Sequence, residues 1–475
     1  MTQTPGAAGV SAVVLAAGAA SRFGGVKLLA ELGGRPVLQH VLDAVGAQGF
    51  AEIVVVLGDD AEAIERAIAW RGERRVRNPD PGRGLSSSLS VGLDSISPTA
   101  TAALIVLGDQ PGLRADTVGA LLAQPDDPTR PVVVPRYDDD AARNPVLIGR
   151  PAFGLAVEAN GDRGLGPVLA AHPELVMEVP VTGSNPDVDT PADLARAIEA
   201  SWAERVRANR EQVDRFREVP DGPDFYAPVR SLFRADPTRT DDPLVAALLA
   251  LVRPGDTWLD VGAGAGRFAL PIARALDPSG GSVVALDVSP SMLEALTEIA
   301  EDHVIENVRT VELRWPPESS GLDFGADVGL IAHVGYDVEH IGPFLDALEA
   351  ASRRLCVALL MERAPASAAD PFWPPVHGEE RIPLPALPDA VELLTARERN
   401  PSVTRIAIEP RRFESREELG GFVRRQLWIA PDGPKERRLE AALDDLTEQT
   451  DDGWTLKERS ASSVGVVTWR PRQSG

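Results

Sequence analysis

Short β-branched runs and amphipathic stretches alternate along most of this chain, and they do so twice. In the first half the runs SAVVLAA, EIVVVLG, RRVRN, AALIVLGD and PVVVPRY are the strand candidates. Between the first two, Val37, Leu38, Val41, Leu42 and Val45 recur at helical spacing, with Pro36 near the first turn and Gly49 past the end. That is a βαβ unit. A long charged helical stretch from about residue 190 then runs into a Pro/Gly/Asp break. Near residue 244 the alternation restarts with helix LVAALLALV, strand TWLDVG, a glycine loop and helix RFALPIARAL. Strands SVVALDV, NVRTVEL, ADVGLIAH and LCVALLM follow, with helices PSMLEALTEIAEDH and GPFLDALEAASRR among them. Strands alternating with helices predict α/β folds with a mostly parallel sheet, here two of them. Residues 363–400, rich in Pro and poor in periodicity, predict an ordered insertion over a site or a flexible flap. DGWTLKERS and SVGVVTWRP predict an antiparallel strand pair at the end.

Composition narrows the class. At roughly 100–200 residues per domain, 475 residues make two or three domains. Net charge is 48 − 71 = −23, and residues 1–199 carry 16 basic against 25 acidic side chains, leaving −14 for the remainder. Neither half has the clustered basic surface that neutralises a phosphate backbone, so nucleic acid is not an expected partner and small molecules are. The apolar opening lacks the basic start of a signal peptide, and the longest apolar run, LVAALLALV, is under half of the ~20 residues a membrane helix needs. No membrane partner is therefore expected, and a cytoplasmic location is. One cysteine, Cys356, excludes an intramolecular disulfide and a cysteine-based zinc site, and its setting is that of a buried strand residue. Of the 48 basic residues only Lys27, Lys435 and Lys457 are lysine. A lysine kept against so strong an arginine preference points to a task for a compact ammonium.

Lys27 lies in LAAGAASRFGGVKLL, immediately after the first strand. Leu15, Ala16, Ala17 and Gly18 form a small-residue turn whose backbone N–H groups can approach phosphate oxygens, while Arg22 and Lys27 bring positive charge to the same group. Neither Walker A spacing nor G-x-G-x-x-G occurs in this loop, which argues against a P-loop NTPase or dinucleotide oxidoreductase. Together with NPDPGRGLSSSLSVGL, VLGDQP and NPDVDTPADL, the loop makes residues 10–198 resemble the molybdenum-cofactor nucleotidyltransferases. The resemblance implies a Rossmann-like nucleotidyltransferase fold and transfer of a nucleotidyl group from an NTP to a molybdopterin-type phosphate, with pyrophosphate release. It further implies Mg²⁺ and, as partners, molybdoenzyme maturation proteins. LAAG and GLSSSL look more like the branch that uses CTP than the one that uses GTP. Such a transfer needs positioning and charge neutralisation. Asp109, after Gly108 at a strand end, and Asp189 are the expected metal ligands, with Asp187 as helper or solvated neighbour. Arg22, Lys27 and Asp109 are the expected catalytic residues. Ser86 and Ser87 are expected at the base, and Asn144 and Pro145 near the acceptor.

In TWLDVGAGAGRFALPIA, Gly262, Gly264 and Gly266 alternate just after a strand, with Asp260 before them and Asp287 closing the next strand. An acid at the second strand end suits the two ribose hydroxyls of an adenosine. A carboxylate ahead of the glycines suits a cationic ligand better than a pyrophosphate. Residues 200–470 resemble class I methyltransferases that use S-adenosylmethionine (SAM), with Val288 the further cofactor contact. Trp315 and Glu312 stand where an adenine contact is expected, and an aromatic there is as readily core. His333, Tyr336 and His340 follow ADVGLIAH on the side where a methyl acceptor is expected, and Trp373 and His377 are candidates for a substrate-side flap.

The expectation is two Rossmann-like three-layer α/β/α domains. Residues 1–199 form a nucleotidyltransferase domain, 200–243 a linker with lid helices, and 244–475 a methyltransferase-like domain ending in antiparallel strands. Mg²⁺, SAM and CTP or GTP are the expected ligands of a bifunctional transferase. The other reading is transfer to a sugar- or alcohol-phosphate, with the second half a non-catalytic SAM-binding or scaffold module.

Overall fold

Val10–Ala16 is buried along its whole length, as a β-branched run with a strand on each side and helices over each face must be. Its alternate residues serve different layers. Ala12, Val14 and Ala16 pack with Leu38, Val41 and Val45 of helix Val37–Gly46, whereas Val13, Leu15 and Ala17 pack with Leu89 of helix Leu85–Ser95. These contacts come from a computed structural model, which describes residues 7, 9–18, 23–138, 143–220, 236–239, 241–317, 324–409, 411–457 and 462–472. The chain divides into two units, Met1–Ile198 and Glu199–Gly475. Each is built on a seven-stranded sheet.

In the first unit the strand order is Arg74–Arg77, Glu52–Leu57, Val10–Ala16, Ala102–Leu107, Val146–Gly149, Val132–Arg136, Val176–Pro180. The first four are mutually parallel, and their register sets Ala16 opposite Leu57 and Leu15 opposite Leu107. The loops after three strands therefore leave the sheet along one carboxyl edge, where open α/β sheets bind ligands. All five strands expected from the sequence are present. Val146–Gly149 and Val176–Pro180 are additional: the former is only four residues long and runs antiparallel to both neighbours, and the latter is an edge strand with little buried alternation.

The second unit's order is Val308–Glu312, Ser282–Asp287, Thr257–Val261, Ala326–Ala332, Ser352–Met361, Ser462–Trp469, Ser402–Ile408. Its first five strands are parallel, and Ser462–Trp469 lies antiparallel between Ser352–Met361 and Ser402–Ile408. The C-terminal antiparallel strands are thus present, each with another partner than the one expected: Gly453–Leu456 pairs with Thr447–Thr450. Residues 199–216 of helix Pro191–Phe216 are fastened to this unit, with Trp202 Nε1 donating to Val338 O at 2.9 Å and Gln212 Nε2 to Glu379 Oε1 at 2.7 Å. Most of the expected linker beyond it, 221–235, lies outside the described residues.

The Pro-rich stretch after residue 363 is a folded part of this unit. Its prolines open helical turns, at Pro365, Pro374 and Pro388, where a missing N–H costs nothing. Phe372, Trp373 and Val376 are fully buried in a cluster with Phe413, Leu419, Leu439 and Leu443. The half-buried His377 ring lies 4.3 Å from Trp373 at a tilt of 46°, so the pair packs on this core and does not form a substrate-side flap. Cys356 is also fully buried, and burial pushes its thiol up to about 12. Among the described residues no helix is long and apolar enough to cross a membrane.

Candidate functional sites at the two carboxyl edges

In the first unit the chain leaves Val10–Ala16 through Ala17 and Gly18 and returns to the sheet edge at Lys27, the first residue of the 3-10 turn Lys27–Leu29. Arg22 and residues 19–21 lie outside the described residues. Gly108 N donates to Leu15 O at 2.9 Å, which brings Asp109 beside the turn. The closing loop is tied to the same place, since Val188 N donates to Asp109 O at 2.9 Å. Buried Gln110 donates to Asp187 Oδ1 at 2.7 Å and accepts from buried Asn185. Thr190 then caps helix Pro191–Phe216, its Oγ1 accepting from Asp193 N at 3.2 Å, and Asp193 accepts in return from the N–H groups of Thr190 and Asp189.

These ties bring together three residues far apart in sequence. The Lys27 ammonium lies 2.5 Å from Asp109 Oδ2 and 2.8 Å from Asp189 Oδ1. Its side chain is 9% exposed, that of Asp109 20% and that of Asp189 47%, so the cluster opens toward solvent on the Asp189 side. Burial alone would lower the Lys27 pKa, but Asp109 and then Asp189 more than offset it and raise it. Crowding by protein atoms, then the negative fields of Asp109 and Asp189, holds the Asp187 carboxyl above its usual range. Because two carboxylate oxygens converge on one nitrogen, they also converge on one cation position. Among the described residues no three His, Cys, Asp or Glu form a metal cluster. Mg²⁺ characteristically takes one or two carboxylates and completes its shell with water and phosphate oxygens, which is what this pair leaves room for.

Around this centre the other expected residues fall on the same edge. Ser87 Oγ is held in a local knot: it donates toward Asp80 O (3.0 Å) and Gly84 O (2.9 Å) and accepts from Asn78 Nδ2 at 2.8 Å. Ser86 precedes it in the first turn of helix Leu85–Ser95. The Asn144 carbonyl accepts from Tyr137 Oη at 2.8 Å, and the Asn144–Pro145 peptide is cis. Gly58 was not evident from sequence. A Cβ there would meet the Ala17 carbonyl oxygen at 2.6 Å, so the loop after Glu52–Leu57 can press against the Ala17 backbone only if residue 58 has no side chain. Its one signal is its place at a strand end aligned with Ala16.

In the second unit Gly262, Gly264 and Gly266 all have positive φ, at 77°, 53° and 86°. Gly262 combines that conformation with a close approach, since an added Cβ would lie 2.4 Å from Val334 Cγ2. The N–H groups of Gly262 and Ala263 both donate to Leu286 O, and Gly264 N donates to Asp287 Oδ2 at 2.8 Å. Asp287 Oδ1 accepts from Ser289 N, which leaves each oxygen a further lone pair for a ligand hydroxyl. Val288 beside it is 47% exposed.

Asp260 is different. It is 2% exposed, its Oδ1 is buried with no hydrogen-bond partner, and burial, then Asp287, pushes its carboxyl up to about 7. An orphan acid of this kind beside a glycine loop fits a cationic ligand such as SAM. Trp315 is 9% exposed and donates to Phe344 O, and the buried Tyr336 Oη accepts from Met361 N at 2.8 Å. Burial pushes the Tyr336 hydroxyl up to about 12. His333 takes a left-handed conformation (φ 57°), and its Nδ1 is buried without a partner. Burial, then Arg267, pushes it down to about 4 and keeps the ring neutral at pH 7. Glu312 and His340 are exposed.

The sequence matches the MobA-like NTP transferase domain over residues 12–176 and a methyltransferase domain over residues 259–351. Nicotine blue oxidoreductase of Paenarthrobacter nicotinovorans is 33% identical over 200 residues, which is 40% of this chain and 96% of that protein. Phosphoenolpyruvate guanylyltransferase of Sphaerobacter thermophilus is 34% identical over 33% of this chain and 75% of its own. The bifunctional protein GlmU of an Exiguobacterium species is 33% identical over 24% of this chain, and the match spans a quarter (25%) of that protein.

Proposed function

The chain belongs to the MobA-like NTP transferases through its first half and carries a methyltransferase domain in its second, and from that premise we propose that it is a bifunctional enzyme. The first half transfers a nucleotidyl group from an NTP, CTP by preference, to a molybdopterin-type phosphate. The second half transfers a methyl group from SAM to a small molecule. The observation that carries the first activity is the convergence of Lys27, Asp109 and Asp189 at the carboxyl edge of the sheet. Attack of an acceptor phosphate oxygen on the α-phosphorus forms one P–O bond and breaks another, and pyrophosphate leaves with the electron pair. Asp109 and Asp189 would hold a Mg²⁺ ion, which when bound neutralises phosphate charge. Lys27 then faces the triphosphate as a compact charge, and Ala17, Gly18 and Gly108 keep the backbone low enough for phosphates to approach.

For the second half, SAM when bound supplies an electrophilic methyl carbon on a sulfonium. Asp260 offers that cationic ligand a carboxylate with no other partner, and Asp287 the free lone pairs that two ribose hydroxyls require. The acceptor must bring its own unprotonated nucleophile, because Tyr336 is pinned by Met361 N–H and His333 is a weak base. That same observation favours the second reading, a half that binds SAM without catalysis.

The experiment is to incubate the chain with Mg²⁺ and each of CTP, GTP and UTP, with molybdopterin or with sugar- and alcohol-phosphates, and to measure pyrophosphate. Release with CTP and molybdopterin alone is expected, and no release with any pair overturns the transferase assignment. Calorimetric titration with SAM tests the other half, and absence of heat refutes it.

A further inference from the structure

The second unit contains a cavity of about 190 Å³ with no role in the chemistry above. Its lining includes Glu362 and Arg363, where Ser352–Met361 ends, Arg205 and Asn209 of the long helix, and Arg381 and Asp389. A chain of contacts links it to the glycine loop. Gly262 abuts Val334, Tyr336 holds Met361, and Glu362 follows.

The polar lining is unbalanced in one respect. Its acids are already engaged: Asp370 accepts from Arg363 at 2.6 Å and from Arg381 at 3.5 Å, Asp389 from Arg205 and from Ala386 N, and Glu362 from Arg405 at 2.7 Å. Its three guanidinium groups pair with Asp370 and Asp389 but use only part of their donors. Each carries five N–H donors, yet Arg205, Arg363 and Arg381 each reach protein acceptors through a single terminal nitrogen. Arg205 Nε is buried with no partner. Arg381, with a side chain 6% exposed, is fixed by Ala366 O at 2.8 Å and by the Trp373 ring 4.8 Å from its Cζ, so its remaining donors are held in one orientation. The rest of the wall includes Ile382, Pro383 and Leu384.

We propose that this cavity is the methyl-acceptor subsite and that the acceptor is a small organic anion whose carboxylate or phosphate is gripped by Arg381, Arg363 and Arg205. Planar forks with spare donors match either oxyacid, and the apolar wall takes the organic body. At about 190 Å³ the cavity is below the ~300–1,000 Å³ of drug-sized sites, so the molecule, or the end of it that enters, is small. The inference rests on the methyl-transfer reading for its role and on the cavity alone for its ligand class.

The test is calorimetric titration of the full chain with benzoate, phenyl phosphate and the uncharged benzamide, each beside a SAM titration. Benzoate or phenyl phosphate is expected to bind at least about tenfold more tightly than benzamide, a gap of about 1.4 kcal/mol. The tighter of the two names the oxyacid. Arg363→Gln, at a side chain 59% exposed, and Arg381→Met are each expected to weaken the acid about tenfold and leave SAM affinity unchanged. Equal binding of benzamide, or no binding of either acid by a chain that binds SAM, overturns the inference. So does acid affinity unaltered in both variants. Acid binding by a chain that does not bind SAM removes the methyl-transfer role and leaves an organic-anion site.

Discussion

Replacing Asp260 by Asn should change how the stability of the second unit depends on pH. The carboxyl is buried without a partner at Oδ1 and is raised from 3.8 to about 7. Between those values the folded chain keeps a proton that the unfolded chain has lost. Stability therefore falls as pH rises from about 4 to about 7 and levels off above, because the unfolded state binds fewer protons there. At about 1.4 kcal/mol per pH unit the loss is about 4 kcal/mol, and an uncharged amide in the same place cannot incur it. The stability of Asp260→Asn relative to the parent should accordingly grow by about 4 kcal/mol from pH 4 to pH 8. Of the 8 tryptophans only Trp70 lies in Met1–Ile198, so urea unfolding followed by tryptophan fluorescence reports mainly on the second unit. A gap that stays constant across this pH range would refute the reasoning. The same substitution should weaken SAM about ten- to a hundredfold, the worth of a hydrogen bond to a charged group. Parent SAM binding near pH 6 should release protons, visible as a buffer-dependent binding heat.

Lys27→Ala and Asp109→Ala should each abolish pyrophosphate release while circular dichroism stays that of the parent, and normal turnover in either would remove the site. Gly58→Ala should press on the Ala17 carbonyl and cost about 1–3 kcal/mol, with a raised KM for the NTP. Unchanged kinetics would mean that the loop yields freely. Tyr336→Phe removes the acceptor of Met361 N–H and should cost about 1 kcal/mol in thermal unfolding. Methyl transfer should survive it, and a loss of rate with an altered pH profile would show instead that the hydroxyl acts in catalysis.

How much of this was legible beforehand followed the range of the interaction involved. Strands such as SAVVLAA and SVVALDV declare themselves because burial on both faces leaves polar residues only near their ends. The loops after them declare themselves by glycine, Lys27 by its isolation among arginines. What could not be read is which distant groups meet: Lys27 lies 82 residues from Asp109 and 162 from Asp189, and the Gly108–Leu15, Val188–Asp109 and Gln110–Asp187 ties bring them together. Val146–Gly149 escaped because four residues carry too little period to register. Trp373 and His377 resembled a flap because prolines usually break helices, whereas here they begin them. Arg381 gave no signal because its burial against Trp373 comes wholly from tertiary packing.

Charge counting at the first site makes a last demand. Lys27, Asp109 and Asp189 together sum to −1, in a half chain that carries −9, so the cluster as it stands repels a triphosphate. A divalent cation between the two carboxylates would bring the local sum to +1. Asp189→Asn by itself brings it to 0 and frees Lys27 from one of its two partners. In the absence of divalent metal, Asp189→Asn should therefore bind CTP more tightly than the parent by about three- to tenfold, the worth of about 1 kcal/mol at a half-exposed carboxylate. With Mg²⁺ present the order should reverse, because the variant has lost a ligand. Fluorescence titration of CTP in EDTA and in Mg²⁺ compares the two conditions directly. If Asp189→Asn binds CTP more weakly than the parent in both, Asp189 serves the nucleotide in some way other than through charge.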